Sequence, residues 1–145
     1  MVDIKIPGCK RFVAKDTFGP RNSDGIKFSL ENNFEENFLD LIEEDIGPAE
    51  IILGSITRPS LSYEIMDELS PEKRIIKLAH FYEFVKIQPK GWGGLLAYIE
   101  DRRGIPWAVH ARWGLLHRWW RVRAISIVHP RYAGLGPGCI ILSHK

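Results

Sequence analysis

Cysteine and metal-ligand motifs are scarce in this sequence. Only Cys9 and Cys139 are present, far apart and without Cys-x-x-Cys spacing, so we expect neither a disulfide framework nor a zinc cluster. The five histidines show no His-Glu-x-x-His or other paired ligand spacing. Gly-x-Ser-x-Gly, Walker and Rossmann motifs are absent as well. The sequence therefore predicts no metal site and none of the chemistries that those motifs serve.

Long hydrophobic runs are also missing. No stretch approaches 18 uncharged apolar residues, which is the length expected of a membrane span, so we expect no membrane partner. The N-terminus, MVDIKIPGCK, lacks the apolar centre of a signal peptide and predicts a cytoplasmic protein. With 145 residues, 45% of them hydrophobic, the chain predicts one domain over residues 1–145 with a substantial core.

Charge of one sign is missing from two stretches. Residues 31–57 contain no Lys or Arg, and residues 102–131 contain no Asp or Glu. The acids of the first stretch are Glu31, Glu35, Glu36, Asp40, Glu43, Glu44, Asp45 and Glu50. The bases of the second are Arg102, Arg103, Arg112, Arg118, Arg121, Arg123 and Arg131. The basic stretch could serve the phosphates of a cofactor, a nucleic acid, or the acidic part of this chain or a partner.

Hydrophobic spacing predicts strands and two main helices in the first two thirds of the chain. Ile26 to Leu30 alternates apolar and polar residues, and Ala49 to Ile56 is a second strand. One helix is predicted to begin after an N-cap at Asn32 or Asn33 and to end at Gly47-Pro48, with its carboxylates in solvent. Another is predicted from Pro71 to Val85. His80 on the second helix is expected at the surface or at its boundary.

Three further strands are predicted to form an antiparallel meander. They span Gly93 to Glu100, Ile105 to Arg112, and Trp119 to Val128, with a tight polar turn at 101–104. The predicted fold is therefore α+β, a mostly antiparallel sheet with two main helices, and its central strand is Trp119 to Val128.

A glycine-rich segment follows the last of these strands. Glycines at 134, 136 and 138 allow positive φ angles and close approach of a ligand to the backbone. Residues 139–142 are apolar and read as the start of a helix. Several N–H groups and a helix N-terminus would then favour an anion at this position.

Residues 128–138, VHPRYAGLGPG, resemble the acetyl-coenzyme A loop of the GNAT superfamily of N-acetyltransferases. That family has a strand, often ending in Val-x-Pro, and then [Gln/Arg]-x-x-Gly-x-[Gly/Ala]. Arg131, Gly134 and Gly136 occupy the three defining places. The family usually has Arg or Lys at the place of Ala133. The resemblance covers about residues 70–145 and leaves 1–69 as a divergent N-terminal part.

The resemblance implies an acyl-coenzyme A binding protein or N-acyltransferase. The cofactor would be acetyl-coenzyme A, with its pyrophosphate cradled by the glycine loop and its thioester next to the preceding strand. The residues so implied are Ile127, Val128, Arg131, Gly134, Gly136 and Gly138. Attack of a substrate amine on the thioester also needs a proton acceptor. The candidates are Glu100 and His110 on the meander and His129 at the start of the loop, although a histidine in an apolar strand is more often part of a core.

Only seven residues follow Gly138. They cannot supply the helix and strand that follow the loop in the GNAT family, so the fold is expected to resemble the N-terminal part of an acyl-coenzyme A N-acyltransferase. The chain is then a truncated relative, or a protein partner completes the fold, or the similarity is local.

The segment RWGLLHRWWRVR, residues 112–123, supports an alternative function. Arginines interleaved with tryptophans suit phosphate contacts and base stacking, and are equally favoured at protein interfaces. The alternative is thus a non-enzymatic protein that binds nucleic acid or a larger protein. Its candidate contact residues are Arg112, Trp113, Arg118, Trp119, Arg121 and Arg123. Strand alternation predicts Trp120 and Val122 in the core and Trp119 and Arg121 facing out.

Overall fold

A computed structural model describes residues 2–20, 22–55, 62–88, 94–127 and 139–145. Within these ranges the chain forms nine strands and five short helices. The strands are β1 (Val2–Ile6), β2 (Cys9–Val13), β3 (Phe28–Leu30), β4 (Ile42–Ile46), β5 (Ala49–Ser55), β6 (Leu95–Glu100), β7 (Pro106–Gly114), β8 (Trp119–Ser126) and β9 (Ile140–His144). The helices are α1 (Ala14–Thr17), α2 (Asn32–Phe38), α3 (Ser62–Glu68), α4 (Pro71–Arg74) and α5 (Leu78–Ile87).

Seven strands form one sheet in the order β1-β5-β9-β6-β7-β8-β3, and β2 pairs with β4 in a separate two-stranded sheet. Neighbouring strands are antiparallel except for the pairs β6 with β9 and β3 with β8, which are parallel. The predictions of an α+β fold, of a mostly antiparallel sheet and of the β6-β7-β8 meander are confirmed.

Alternation of side chains gives the large sheet two faces. The core face packs against α1, α2 and α5 and is almost entirely apolar. From the meander and β9 it includes Leu95, Ala97, Ile99, Val109, Ala111, Trp113, Trp120, Val122, Ala124 and Leu142. The opposite, outer face carries a smaller apolar cluster beneath α3, formed by Ile65, Leu96, Tyr98, Ala108, Ile125 and Cys139.

The acidic stretch folds differently from the expected single helix. α2 ends at Phe38, and the residues after it form β4, which pairs with β2. Glu43 is buried on β4, and its carboxylate accepts hydrogen bonds from the backbone N–H groups of Leu78 (3.0 Å) and Ala79 (2.8 Å). The expectation that all these carboxylates lie in solvent is wrong for Glu43, because it caps the N-terminus of α5.

The predicted helix from Pro71 to Val85 is interrupted. α4 ends at Arg74, Ile75 forms a bridge with Tyr98 of β6, and α5 then starts at Leu78. The interruption lets this segment form a hydrogen bond with β6, because the N–H of Ile76 donates to the carbonyl oxygen of Tyr98 at 3.0 Å. His80, expected near the surface, is only 4% exposed, and its Nε2 lies 2.8 Å from the Gly47 carbonyl oxygen.

Two predictions about the end of the chain are corrected. The strand of Trp119, β8, is not the central strand. β6 lies in the middle of the sheet, and β8 is the second strand from one edge, next to the edge strand β3. Residues 140–144 form β9 between β5 and β6, where a helix was expected. A short apolar run alone does not distinguish a buried strand from a helix. Here the run forms a strand because it pairs with β5 on one side and with β6 on the other.

The helices are short. The longest described helix, α5, has ten residues, and the described residues form five helices where two main ones were expected. None of the helices in the described ranges is long and apolar enough to cross a membrane.

Candidate functional site

The outer face of β7 and β8 carries a group of basic side chains beyond the part covered by α3. Strand register places Arg112 directly opposite Arg121, and His110 directly opposite Arg123. Like charges on directly opposed residues destabilise a sheet. Arg121 keeps its side chain 64% exposed, which lets water screen part of this repulsion.

Glu31 brings a carboxylate to the same place. It follows β3, whose parallel pairing with β8 is extended by a 2.9 Å hydrogen bond from the Glu31 N–H to the Val122 carbonyl. Its Oε1 lies 3.1 Å from a guanidinium nitrogen of Arg121. These groups enclose a cavity of about 220 Å³, here called the arginine pocket, lined by Glu31, His110, Arg112, Arg121 and Arg123.

His110 is the buried member of the arginine pocket, with an exposed fraction of 8%. It packs against the backbone of Gly94, where a β-carbon would collide with the Nε2 of His110. Burial, and to a smaller extent the charges of Arg123 and Arg112, lower the pKa of His110 to about 4. His110 is therefore neutral at neutral pH and adds no charge to the pocket.

A second cavity, here called the apolar cleft, adjoins the arginine pocket and shares Glu31 and Arg123 with it. It has a volume of about 610 Å³ and lies along the part of β8 that extends past β3. Its apolar wall comes from Ile105, Pro106, Trp107, Ile125 and Ile127. The two cavities together offer a charged and an apolar compartment side by side.

Trp107 in this cleft is held in place by Asp101. The indole Nε1–H donates to Asp101 Oδ2 at 3.0 Å, while the other carboxylate oxygen accepts from the N–H groups of Arg103 (2.8 Å) and Ile105 (3.1 Å). These hydrogen bonds outweigh the opposing effect of burial, which is the largest single influence, and the pKa of Asp101 is lowered. The charged carboxylate therefore fixes both the hairpin turn and the indole.

Trp119 places an aromatic ring on the outer face. It is half-buried, whereas its neighbour Trp120 is buried in the core, as strand alternation predicts. A β-carbon on Gly114 would lie 3.4 Å from Cδ1 of Trp119, so the indole covers the strand opposite. The ring of His117 stacks on it with centroids 4.6 Å apart. Trp119 is two positions from Arg121, which is roughly 7 Å along a strand.

Two of the predicted contact residues lie elsewhere. Trp113 is on the core face, where its ring packs against that of Trp120 with centroids 5.7 Å apart. Arg118 is in the turn between β7 and β8 with a φ of 55°. It lines a separate cavity with Asp24 and Lys27. We therefore leave Trp113 and Arg118 out of the candidate site.

The two proton acceptors predicted on the meander, Glu100 and His110, are not brought together. Leu96 is the residue opposite His110, so Glu100 lies four positions further along β6, roughly 13 Å away at strand spacing. Glu100 is exposed and lines a different cavity with Asp101 and Arg102. The two side chains do not form a catalytic pair in this arrangement.

The predicted coenzyme loop falls outside the described residues, as do Val128, the candidate base His129, Arg131, Gly134, Gly136 and Gly138. Ile127 is described, and it lies at the wall of the apolar cleft. The acyl-coenzyme A site therefore stays a prediction.

Ion pairs connect the acidic and basic stretches, as one interpretation of the charge pattern expected. Arg121 pairs with Glu31, and Arg102 pairs with Asp40 at 3.2 Å. Sequence reasoning named Arg112, Trp119, Arg121 and Arg123, but it did not identify Glu31 or Trp107 as part of the site. The sequence placed Glu31 directly after a predicted strand. No sequence pattern showed that this strand would pair with β8 and so bring Glu31 to the arginines.

Known proteins give no further guide to this site. No protein-family model, no curated protein and no solved structure matches the chain.

Proposed function

We propose that the protein binds single-stranded nucleic acid through the outer face of β7 and β8. The observation that supports this most is the convergence of Arg112, Arg121 and Arg123 on one pocket. Trp119 lies on the same face. Planar guanidinium groups bind phosphate oxygens in a bidentate manner, and aromatic side chains stack bases at about 1 to 3 kcal/mol per base.

The charge of the site favours a nucleic acid over a protein partner. Among the described residues that line the arginine pocket, three guanidinium groups face a single carboxylate, that of Glu31. A strand of phosphates supplies compensating charge at regular spacing, together with flat bases for Trp119. A protein partner would need an acidic segment of matching shape to compensate the same charge.

A labelled oligothymidylate of about 20 nucleotides, titrated while its fluorescence anisotropy is followed, tests this proposal. Affinity should fall steeply between about 50 and 200 mM salt, because bound arginines release counterions from the strand. Arg121→Ala should weaken binding and reduce the slope of log K against log salt by about 1.

Arg102→Ala is the matched control, since Arg102 is exposed and pairs with Asp40 outside the arginine pocket. It should leave the affinity within about twofold of that of the unmodified protein. Absence of binding at low salt, or equal losses in the two variants, would contradict the proposal.

The acyl-coenzyme A function implied by the glycine loop is a second candidate. Ile127 lines an apolar cleft directly before the segment that resembles the coenzyme loop. Such a cleft would suit the apolar parts of an acyl-pantetheine chain, with Arg123 at its margin. Isothermal titration with acetyl-coenzyme A, repeated with Gly136→Trp, tests it: micromolar binding lost in the variant supports it, and no binding at millimolar ligand rejects it.

A further inference from the structure

The arginine pocket has the size of a single anionic group. Its volume of about 220 Å³ is below the range of roughly 300 to 1,000 Å³ that holds whole small ligands, whereas the apolar cleft of about 610 Å³ lies within that range. Glu31 and Arg123 line both cavities, so a ligand can extend from one into the other. The pair of cavities therefore fits one phosphate joined to one larger, partly apolar group.

The charges in the pocket distinguish between kinds of phosphate. With His110 neutral, three guanidinium groups and the Glu31 carboxylate leave an excess of two positive charges among the described lining residues. A phosphate monoester carries about −1.5 to −2 at neutral pH and three terminal oxygens. An internal phosphodiester has one negative charge and two free oxygens, so it would leave positive charge uncompensated.

The surroundings of the pocket point to the same kind of ligand. His110, the buried residue of its lining, packs against Gly94. A terminal phosphate is joined to one nucleoside only, and the apolar cleft offers that nucleoside the half-buried indole of Trp107, which packs against the core cluster and is fixed by Asp101.

We infer that the arginine pocket binds the terminal phosphate of a nucleic acid strand, with the end nucleoside in the apolar cleft. This inference rests on the proposed function and narrows it: the protein recognises a phosphorylated strand end in preference to the interior of the strand.

The experiment compares three fluorescent oligonucleotides of one sequence, with a 5′-phosphate, a 3′-phosphate, or hydroxyl groups at both ends. Anisotropy titrations use the whole chain at fixed salt. One phosphorylated end should bind about tenfold more tightly than the hydroxyl-ended strand. Arg112→Gln should reduce that ratio to about one, whereas the control Arg102→Gln should preserve it.

Arg112→Lys separates charge from shape. It keeps the positive charge but lacks the guanidinium fork, so it should retain most of the salt dependence and lose most of the preference for the phosphorylated end. Circular dichroism of each variant shows that it is folded.

The failures of the two proposals are distinguishable. Equal binding of all three oligonucleotides, or a preference that survives Arg112→Gln, would overturn the terminal-phosphate site and leave nucleic-acid binding intact. No binding of any oligonucleotide would overturn both.

Discussion

Two adjacent parts of the outer face differ in chemistry although they lie on the same two strands. Three successive opposed pairs run from apolar to charged: Ala108 with Ile125, His110 with Arg123, and Arg112 with Arg121. The first pair is buried in the cluster beneath α3, and the last is exposed. The apolar part contributes to stability, while the charged part opposes like charges across the strands. We infer from this difference that the charged part serves to bind a ligand and does not stabilise the sheet.

The largest effect is expected from a change in the apolar part. Ile125→Ala removes a side chain that is 4% exposed and should lower the free energy of unfolding by about 2 to 5 kcal/mol. Arg121→Ala, four residues away on the same face of β8, should change it by less than about 1 kcal/mol because the side chain is exposed. Urea denaturation of both variants measures the difference. Similar losses would show that the two parts do not differ as described.

His110, between the two parts, should make stability depend on pH. The unfolded chain binds a proton at His110 near pH 6.5, but the folded chain does so only near pH 4. The unfolded state therefore binds more protons between these values, and stability falls as the pH decreases from about 6.5 to about 4. The loss should reach about 3 kcal/mol at most, from the size of the pKa shift.

Urea denaturation at a series of pH values measures this loss, and His110→Gln serves as the comparison. The variant has no imidazole to titrate, so the slope of its stability across this pH window should be shallower. An identical pH profile for the variant would assign the acid sensitivity to other groups.

The smallest effect is expected from relief of the like-charge pair. Arg112→Gln removes one of two opposed guanidinium groups and should raise the free energy of unfolding by about 0.2 to 1 kcal/mol at low salt. The gain should shrink as salt screens the repulsion that remains in the unmodified protein. A loss of stability at every salt concentration would show that the arginine pair supports the sheet.

The sequence predicted best those features that depend on residues close to one another in the chain. Alternation around Trp119 to Val122 correctly separated the side chains of the core from those of the outer face. The three strands of the meander were predicted because they are joined by short turns. These features depend on neighbours in the sequence, which periodicity can show.

The remaining features depend on pairing between distant segments. Glu31 reaches the arginine pocket only because β3 lies parallel to β8, and Glu43 is buried only because β4 brings it to the start of α5. In the same way, residues 140–144 become a strand because β5 and β6 accept them on both sides. Such partners are set by tertiary contacts that a single sequence does not display.

Photocrosslinking is the most direct measurement of the central claim that nucleic acid binds the outer face of β7 and β8. A single-stranded oligonucleotide with 5-bromodeoxyuridine at every second position would be irradiated with the protein, and the crosslinked peptides identified by mass spectrometry. Crosslinks are expected within β7 and β8, above all at Trp119, and fewer of them in Arg121→Ala than in Arg102→Ala. Crosslinks confined to the acidic stretch 31–57, or to the core-facing helix α5, would contradict it.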